Sequence, residues 1–323
     1  MKHFQTSFLT FLSLPLALTL ACGQIPKAED KAPDTAPTNT DAGRNSANDA
    51  GTTPSTAPNT TPKNETNSDS NPDVIVPRLP GTINPTPVSR NVIRQAKGLQ
   101  AADIQKAVDQ FRADLGGANN LGAVGTQIQG HREINWDGVP ADKSAPNLFP
   151  GDFFKARGAL FSSPCDQLQV SAKAQETIEV LFSNINPSFS QIFRAFSPEK
   201  LFAALGSRII DVTFTVPGSD EPASVQGFGS VFTDVDLQGS TTMEFYDVFG
   251  SKIMTVPVPA VPHTDGSQSF VGVKFNDGQE ISKVRIIMGN VALNNFVSER
   301  NGKDAVAADD FLYAEPKSLP RRL

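Results

Sequence analysis

The sequence predicts a mainly β fold, an antiparallel β-sandwich preceded by one amphipathic helix and a long disordered tether. Three observations carry this. After Gly206 the apolar residues recur with period two, as in Val212, Phe214 and Val216 alternating with Asp211, Thr213 and Thr215. Turn signals at Pro217-Gly218, Gln238-Gly239, Phe249-Gly250, Asp265-Gly266, Asp277-Gly278 and Gly289-Asn290 divide this half of the chain into short runs. No helical pattern of useful length lies between those runs, so an alternating parallel fold is excluded and strands must pack on strands.

The elements follow in chain order. Residues 1–21 form a leader with one firm positive charge at Lys2, then an apolar run through Phe8, Leu12, Leu16 and Leu20. The run is too short and too interrupted by Ser13, Pro15 and Thr19 to span a bilayer comfortably. Residues 22–90 are rich in Pro, Thr, Asn, Asp, Ser and Ala and hold almost no large apolar side chain before Val74. Such a composition buries too little apolar surface to offset the entropy of ordering and predicts a disordered tether, with a flexible-coil reach of about 45 Å.

Residues 91–157 are read as a helix and an ordered loop region packed on the sandwich. The helix is marked by Ile104, Val108, Phe111 and Leu115 at helical spacing, with Asp103 as N-cap and Gly116-Gly117 as the stop. Residues 158–316 form the sandwich and 317–323 a basic tail. Strands are expected at 158–163, 168–171, 177–182, 212–216, 225–235, 241–247, 252–258, 269–275, 281–288 and 306–313. The Phe-rich stretch Phe189 to Phe196 reads as core or sheet cover, with a turn of helix opening at Ser197-Pro198-Glu199.

Leu20-Ala21-Cys22-Gly23 resembles the lipobox of bacterial lipoproteins, in which the cysteine is lipidated and becomes the mature N-terminus; Thr19 stands where that pattern usually has Leu. The resemblance implies a membrane partner through a lipid anchor on Cys22 and a location in the cell envelope, on the outer membrane since Gly23 is not the Asp of a retention signal. The alternative is an ordinary secretory leader cut after Ala21, and both readings export the protein. The chain has only two cysteines, so lipidation of Cys22 leaves Cys165 alone; a small, partly buried thiol is the expectation, since no cationic neighbour in sequence activates it.

The architecture resembles the jelly-roll, galactose-binding-like or lectin-type sandwiches of extracellular bacterial proteins, through Val225-Gln226-Gly227-Phe228-Gly229, Val284-Arg285-Ile286 and Asp309-Asp310-Phe311. The resemblance implies a module that is often non-catalytic and often holds a structural calcium. The acidic residues give that implication a physical form. Asp234 and Asp236 lie two apart on a strand, about 6.5 to 7 Å, and can converge on one hard cation. Asp309 and Asp310 are adjacent on the last strand, so one carboxylate should face the core, where it requires a cation, an arginine or backbone donors. Calcium held by Asp234, Asp236, Asp309 and Asp310 is one reading; pairing with Arg285 and a polar strand end is the other. Zinc is disfavoured, because the chain has only His3, His131 and His263 and no cysteine pair.

A second constellation runs from His131 to Gly138. Trp136 is the sole tryptophan and can be a sugar-stacking platform with Asn135 and Asp137 as hydroxyl partners, or a core plug under a crossing loop. One Trp and two Tyr against 22 Phe favour the plug. Glu133 and Asp137 could supply the two carboxylates of a glycoside hydrolase, although two acids carry little sequence information. No nucleophile elbow, zinc-protease helix or phosphate loop is present, and a net charge of −6 without a basic aromatic stripe disfavours nucleic acid. The sequence therefore points to an envelope-anchored, non-catalytic binding or structural module for a glycan or envelope protein, with an envelope glycoside hydrolase as the alternative.

Overall fold

The computed structural model describes residues 91–173, 180–299 and 301–319. The leader, Cys22, the tether and the last residues of the tail lie outside them.

The described chain forms two antiparallel sheets packed face to face. In order, the elements are β1 (Val92–Gly98), α1 (Ala101–Leu115), β2 (His131–Ile134), β3 (Ala159–Ser162), β4 (Leu168–Val170), α2 (Phe189–Ile192), β5 (Phe202–Ala204), β6 (Ile209–Thr215), β7 (Pro222–Ser224), β8 (Gly227–Thr233), β9 (Thr242–Tyr246), β10 (Lys252–Pro257), β11 (Gln268–Lys274), β12 (Lys283–Ile287), β13 (Ala307–Ala314) and β14 (Lys317–Ser318). The first sheet runs β1-β11-β8-β13-β5-β4, with β2 also on β13; the second runs β10-β9-β12-β6-β7-β14, with β3 also on β6. From β5 to β13 the chain crosses between sheets at every connection among the long strands except the β9–β10 hairpin, which is jelly-roll winding.

Every residue of β8 and β13 is buried. Their even distribution of apolar and small residues has a direct cause: one face meets the second sheet and the other lies under α1. Phe228 reaches Phe214 of the opposite sheet at 6.3 Å between ring centroids, and Tyr313 reaches the same ring at 5.7 Å. On the helix side, Phe111 lies on Gly229 and Gly272, where an added Cβ would come within 2.7 Å of its ring. The two glycines form the seat that lets the helix approach the sheet.

Several boundaries differ from the sequence reading. Helix α1 starts three residues earlier than Ile104 implies, because Asp103 sits inside the first turn and accepts the Leu99 and Gln100 N–H groups instead of capping from outside. The segment 91–157 contains two strands, β1 and β2, in what the pattern gives as helix and loop. Residues 181–185 form turns instead of completing a strand, and the expected helical turn after Ser197 gives way to β5. Lys317 and Ser318 pair with β7, so the tail begins as a sheet edge. Among the described residues no helix is long and apolar enough to cross a membrane.

Candidate functional site

The chemistry gathers in two places, a polar cavity beside α1 and an acidic cluster in the loops at the strand ends. The cavity, of about 490 Å³, is lined by Arg112 of α1, Glu133 and Asn135 of the β2 region, Arg157, Ser197 and Asp310, with Phe196 supplying an apolar wall. Strand β2 pairs with the C-terminal half of β13 and thereby carries Glu133 towards α1. Arg112 holds Glu133 with two parallel bonds, Nε to Oε1 at 2.9 Å and Nη2 to Oε2 at 3.0 Å, and His131 Nε2 lies 2.7 Å from Oε1. Burial alone would raise the Glu133 carboxyl, but the bonds from His131 and Arg112 and the Arg112 charge outweigh it and hold it at about 2.

Asp310 lines the same cavity. The register of β13 against β8 shifts between Ala308 and Phe311, and this bulge overrides the alternation expected of adjacent residues. Both carboxylates are buried and both meet Ser197, whose Oγ lies 3.1 Å from Asp309 Oδ1 and 2.8 Å from Asp310 Oδ1. Asp309 Oδ2 also accepts the Phe196 N–H at 2.5 Å. Arg112 Nη2 stands 3.8 Å from Asp310 Oδ2. Burial, then the neighbouring Asp310 charge, drives the Asp309 carboxyl far up. Burial raises Asp310 as well, against the Ser197 and Asp309 hydrogen bonds and the Arg112 charge. Both residues are tied to Ser197, and neither belongs to the group of acids that includes Asp234. Arg285 does not serve them; it forks onto Asp211 at 2.7 Å through both Nε and Nη2.

Trp136 offers no face to a sugar. It has a left-handed φ of 63°, which turns the chain after β2 and drives the indole inward. The ring is fully buried, stacks on Phe202 at 4.0 Å and 13°, and stands edge-on to Phe149, Phe154 and Phe311. Its Nε1 donates to the Asp309 carbonyl at 2.7 Å. Of the predicted ligand residues, only Asn135 lines the cavity. Asp137 instead accepts the backbone N–H groups of Glu199 at 2.6 Å and Lys200 at 3.0 Å, which fixes the turn before β5. Glu133 and Asp137 therefore do not form a working pair; the carboxylate that shares the cavity and the Arg112 Nη2 with Glu133 is Asp310.

The second place lies where the β8–β9, β10–β11 and β12–β13 loops meet. One carboxylate oxygen from each of Asp234, Asp265 and Glu299 lies within 4.8 Å of the others. Asp234, at φ 68°, has left the strand alternation, so Asp236 does not point with it and accepts the Thr264 N–H at 3.1 Å instead. Asp234 Oδ1 accepts the Gly266 N–H at 3.0 Å and Glu299 Oε1 the Ala305 N–H at 2.8 Å. Their second oxygens, Asp234 Oδ2 and Glu299 Oε2, are buried and meet no amide, hydroxyl or cationic donor; they face each other, and burial with the Glu299 charge pushes the Asp234 carboxyl up to about 10, so a proton or a cation must lie between them. No lysine or arginine among the described residues pairs with the three acids. The set is all hard oxygen, which suits calcium or magnesium and not a thiophilic metal. Asp265 and Glu299 escaped the sequence reading because only the fold brings three separate loops together.

Cys165 is partly buried, with its Sγ 3.3 Å from the Gly206 carbonyl oxygen. The chain's one other cysteine is Cys22, which lies outside the described residues. Comparison with protein-family models, with curated proteins and with solved structures finds no match to this chain.

Proposed function

We propose that this protein is an exported, envelope-anchored binding module that takes a glycan into the cavity between α1, β2 and β13. The observation that carries the reading is the way the cavity is furnished. Arg112, Glu133 and Asn135 present planar, fixed hydrogen-bonding groups beside the Phe196 ring, the combination that matches hydroxyl pairs and apolar patches of a sugar. Glu133 is locked as an acceptor by Arg112 and His131, which suits recognition more than proton transfer. A glycan array with residues 91–319 tests it: retention without turnover is expected, and loss of all retention in wild type overturns the reading.

One observation favours a hydrolase as the second reading. Glu133 is held low and Asp310 raised within one cavity, a division that suits a carboxylate and a general acid. Turnover of any bound glycan that disappears in Asp310→Asn would establish it.

Calcium at Asp234, Asp265 and Glu299 is the cofactor we propose, in place of the four-aspartate set. The support is the pair of buried carboxylates, Asp234 and Glu299, that face one another beside Asp265 with no basic side chain between them, so that a cation can take the place of the proton they otherwise need. With calcium at a hundred times its dissociation constant, native-state binding adds about 2.7 kcal/mol, or roughly 5–10 °C in Tm for a domain of this size. An unchanged Tm between calcium and chelator overturns the proposal, as does an equal shift in Asp234→Asn.

The leader supports export, and lipid on Cys22 would tether the module to the outer membrane. Mass spectrometry of the mature N-terminus tests the anchor: a mature chain that begins elsewhere, or a Cys22 without lipid, overturns it.

A further inference from the structure

The arginines of the described chain divide by partner. Arg94, Arg112, Arg132 and Arg285 each hold a carboxylate within 3.0 Å. Arg157, Arg194 and Arg208 bond only to backbone carbonyls, and of these Arg157 alone lines the cavity. It stands at the end of a 3₁₀ turn, Lys155–Arg157, just before Gly158, whose left-handed φ of 76° redirects the chain into β3. The guanidinium lies 5.0 Å from the Phe154 ring centroid and donates Nη1 to the Glu133 carbonyl at 2.6 Å. Its remaining N–H groups have no protein acceptor, and none of those nitrogens is sealed from solvent.

A half-buried cation without a counter-ion is costly to maintain unless something else supplies the charge. Burial accordingly lowers the affinity of Arg157 for its proton; Tyr313 and Glu133 pull the other way and nearby Arg132 adds to the fall. The other cation of the cavity is already engaged, since Arg112 spends its fork on Glu133 and Nη1 on Asp109. The two acids are engaged as well: Glu133 by Arg112 and His131, Asp310 by Ser197. The cavity therefore has one open charge, and it is positive.

We infer that Arg157 is the receptor for a ligand carboxylate, so that the glycan bound here carries a uronic acid or a similar carboxylated sugar. The carboxylate would take the free edge of the guanidinium in a two-bond fork, and Asn135 would meet a neighbouring hydroxyl. This deepens the glycan reading of the cavity and rests on it.

The test is isothermal titration of the full chain with an oligogalacturonate, with its methyl ester, and with a neutral oligosaccharide of the same length. The acid is expected to bind roughly tenfold to a hundredfold more tightly than its ester, the usual worth of a hydrogen bond to a charged group. The preference should weaken with added salt and vanish in Arg157→Gln, with Arg157→Lys retaining part of it. Equal affinity for acid and ester overturns the role of Arg157 while leaving a glycan site; absence of binding to all three overturns both. The acid–ester comparison uses the wild-type protein, so it stands even where a variant at 157 fails to fold.

Discussion

Replacing Trp136 separates a core plug from a sugar platform more sharply than any binding measurement. In Trp136→Ala the indole is removed from a fully buried site among Phe149, Phe154, Phe202 and Phe311. Truncation of a buried large aromatic costs about 3–5 kcal/mol through lost transfer energy and the residual cavity. The Asp309 carbonyl also loses its Nε1 donor in a region closed to water, adding about 1 kcal/mol. The sum of about 4–6 kcal/mol lowers Tm by roughly 10–20 °C for a domain of 150–250 residues. Trp136→Phe keeps a ring against Phe202 and loses mainly the hydrogen bond and the second ring, so a drop of about 2 kcal/mol is expected. The assay is urea and thermal unfolding followed by far-UV circular dichroism, since the chain's one tryptophan is lost in the variants. In the wild type that single indole should emit as a buried fluorophore and resist acrylamide quenching. A Trp136→Ala protein that melts within 3 °C of wild type yet loses glycan binding would refute the packing argument (threshold of roughly 1 kcal/mol).

Three further outcomes follow from the geometry. Gly272→Ala places a Cβ 2.7 Å from the Phe111 ring and should destabilise by about 1–3 kcal/mol, whereas Gly122→Ala, which meets nothing within 4 Å, should stay within about 0.5 kcal/mol in the same urea titration. Glu315→Gln breaks the buried fork on Arg132, with bonds of 2.7 and 2.9 Å, and should cost about 3–5 kcal/mol; it should also free the 120–127 loop, whose Asn120 and Gln127 bond the same carboxylate, to faster amide exchange. Asp310 binds its proton more tightly folded than unfolded, so its contribution is present below pH about 4 and is lost as pH rises through about 6. Wild-type stability from this group should therefore fall across that window, and Asp310→Asn should flatten the fall; an identical slope in both proteins would exclude a raised Asp310 carboxyl.

The parts of the fold that were legible in the sequence share one property: their burial is dictated by neighbours close in the chain or by strict alternation. Helix α1 is written in Ile104, Val108, Phe111 and Leu115, all buried, and β6 in Val212 and Phe214. Strands β1 and β2 broke that rule. In β1 the apolar Ile93 is 45 % exposed and an edge strand needs little apolar signal, because its pairing with β11 is made by the backbone. In β2 the buried residues include His131 and Arg132; Glu133 two residues on meets the first, and what makes Arg132 tolerable inside is Glu315, far away in sequence. A pattern reader sees two polar residues where the fold sees a satisfied ion pair.

The candidate sites were legible by residue type and illegible by direction, and the cause is the same in each. Period-two reasoning assigns a side chain to a face on the premise that the backbone stays extended. That premise fails at Trp136 and Asp234, both with left-handed φ, and at the bulge that carries Asp309 and Asp310. Each failure turns a polar or aromatic side chain to where alternation would not send it: the indole into the core, one carboxylate into a three-loop cluster, and two adjacent carboxylates onto one serine. Non-glycine residues in that conformation, and a bulge inside a fully buried strand, cost energy that surrounding contacts must offset. Here those contacts are the Asp309 carbonyl for Trp136, the Gly266 N–H for Asp234, and Ser197 with the Phe196 N–H for the bulge. The places where local rules break are thus tied to one another, since the Trp136 bond ends on the same residue, Asp309, that anchors the cavity wall. A change in ligand affinity on loosening Trp136 would accordingly be transmitted through β13, and not through any contact of the indole with a sugar.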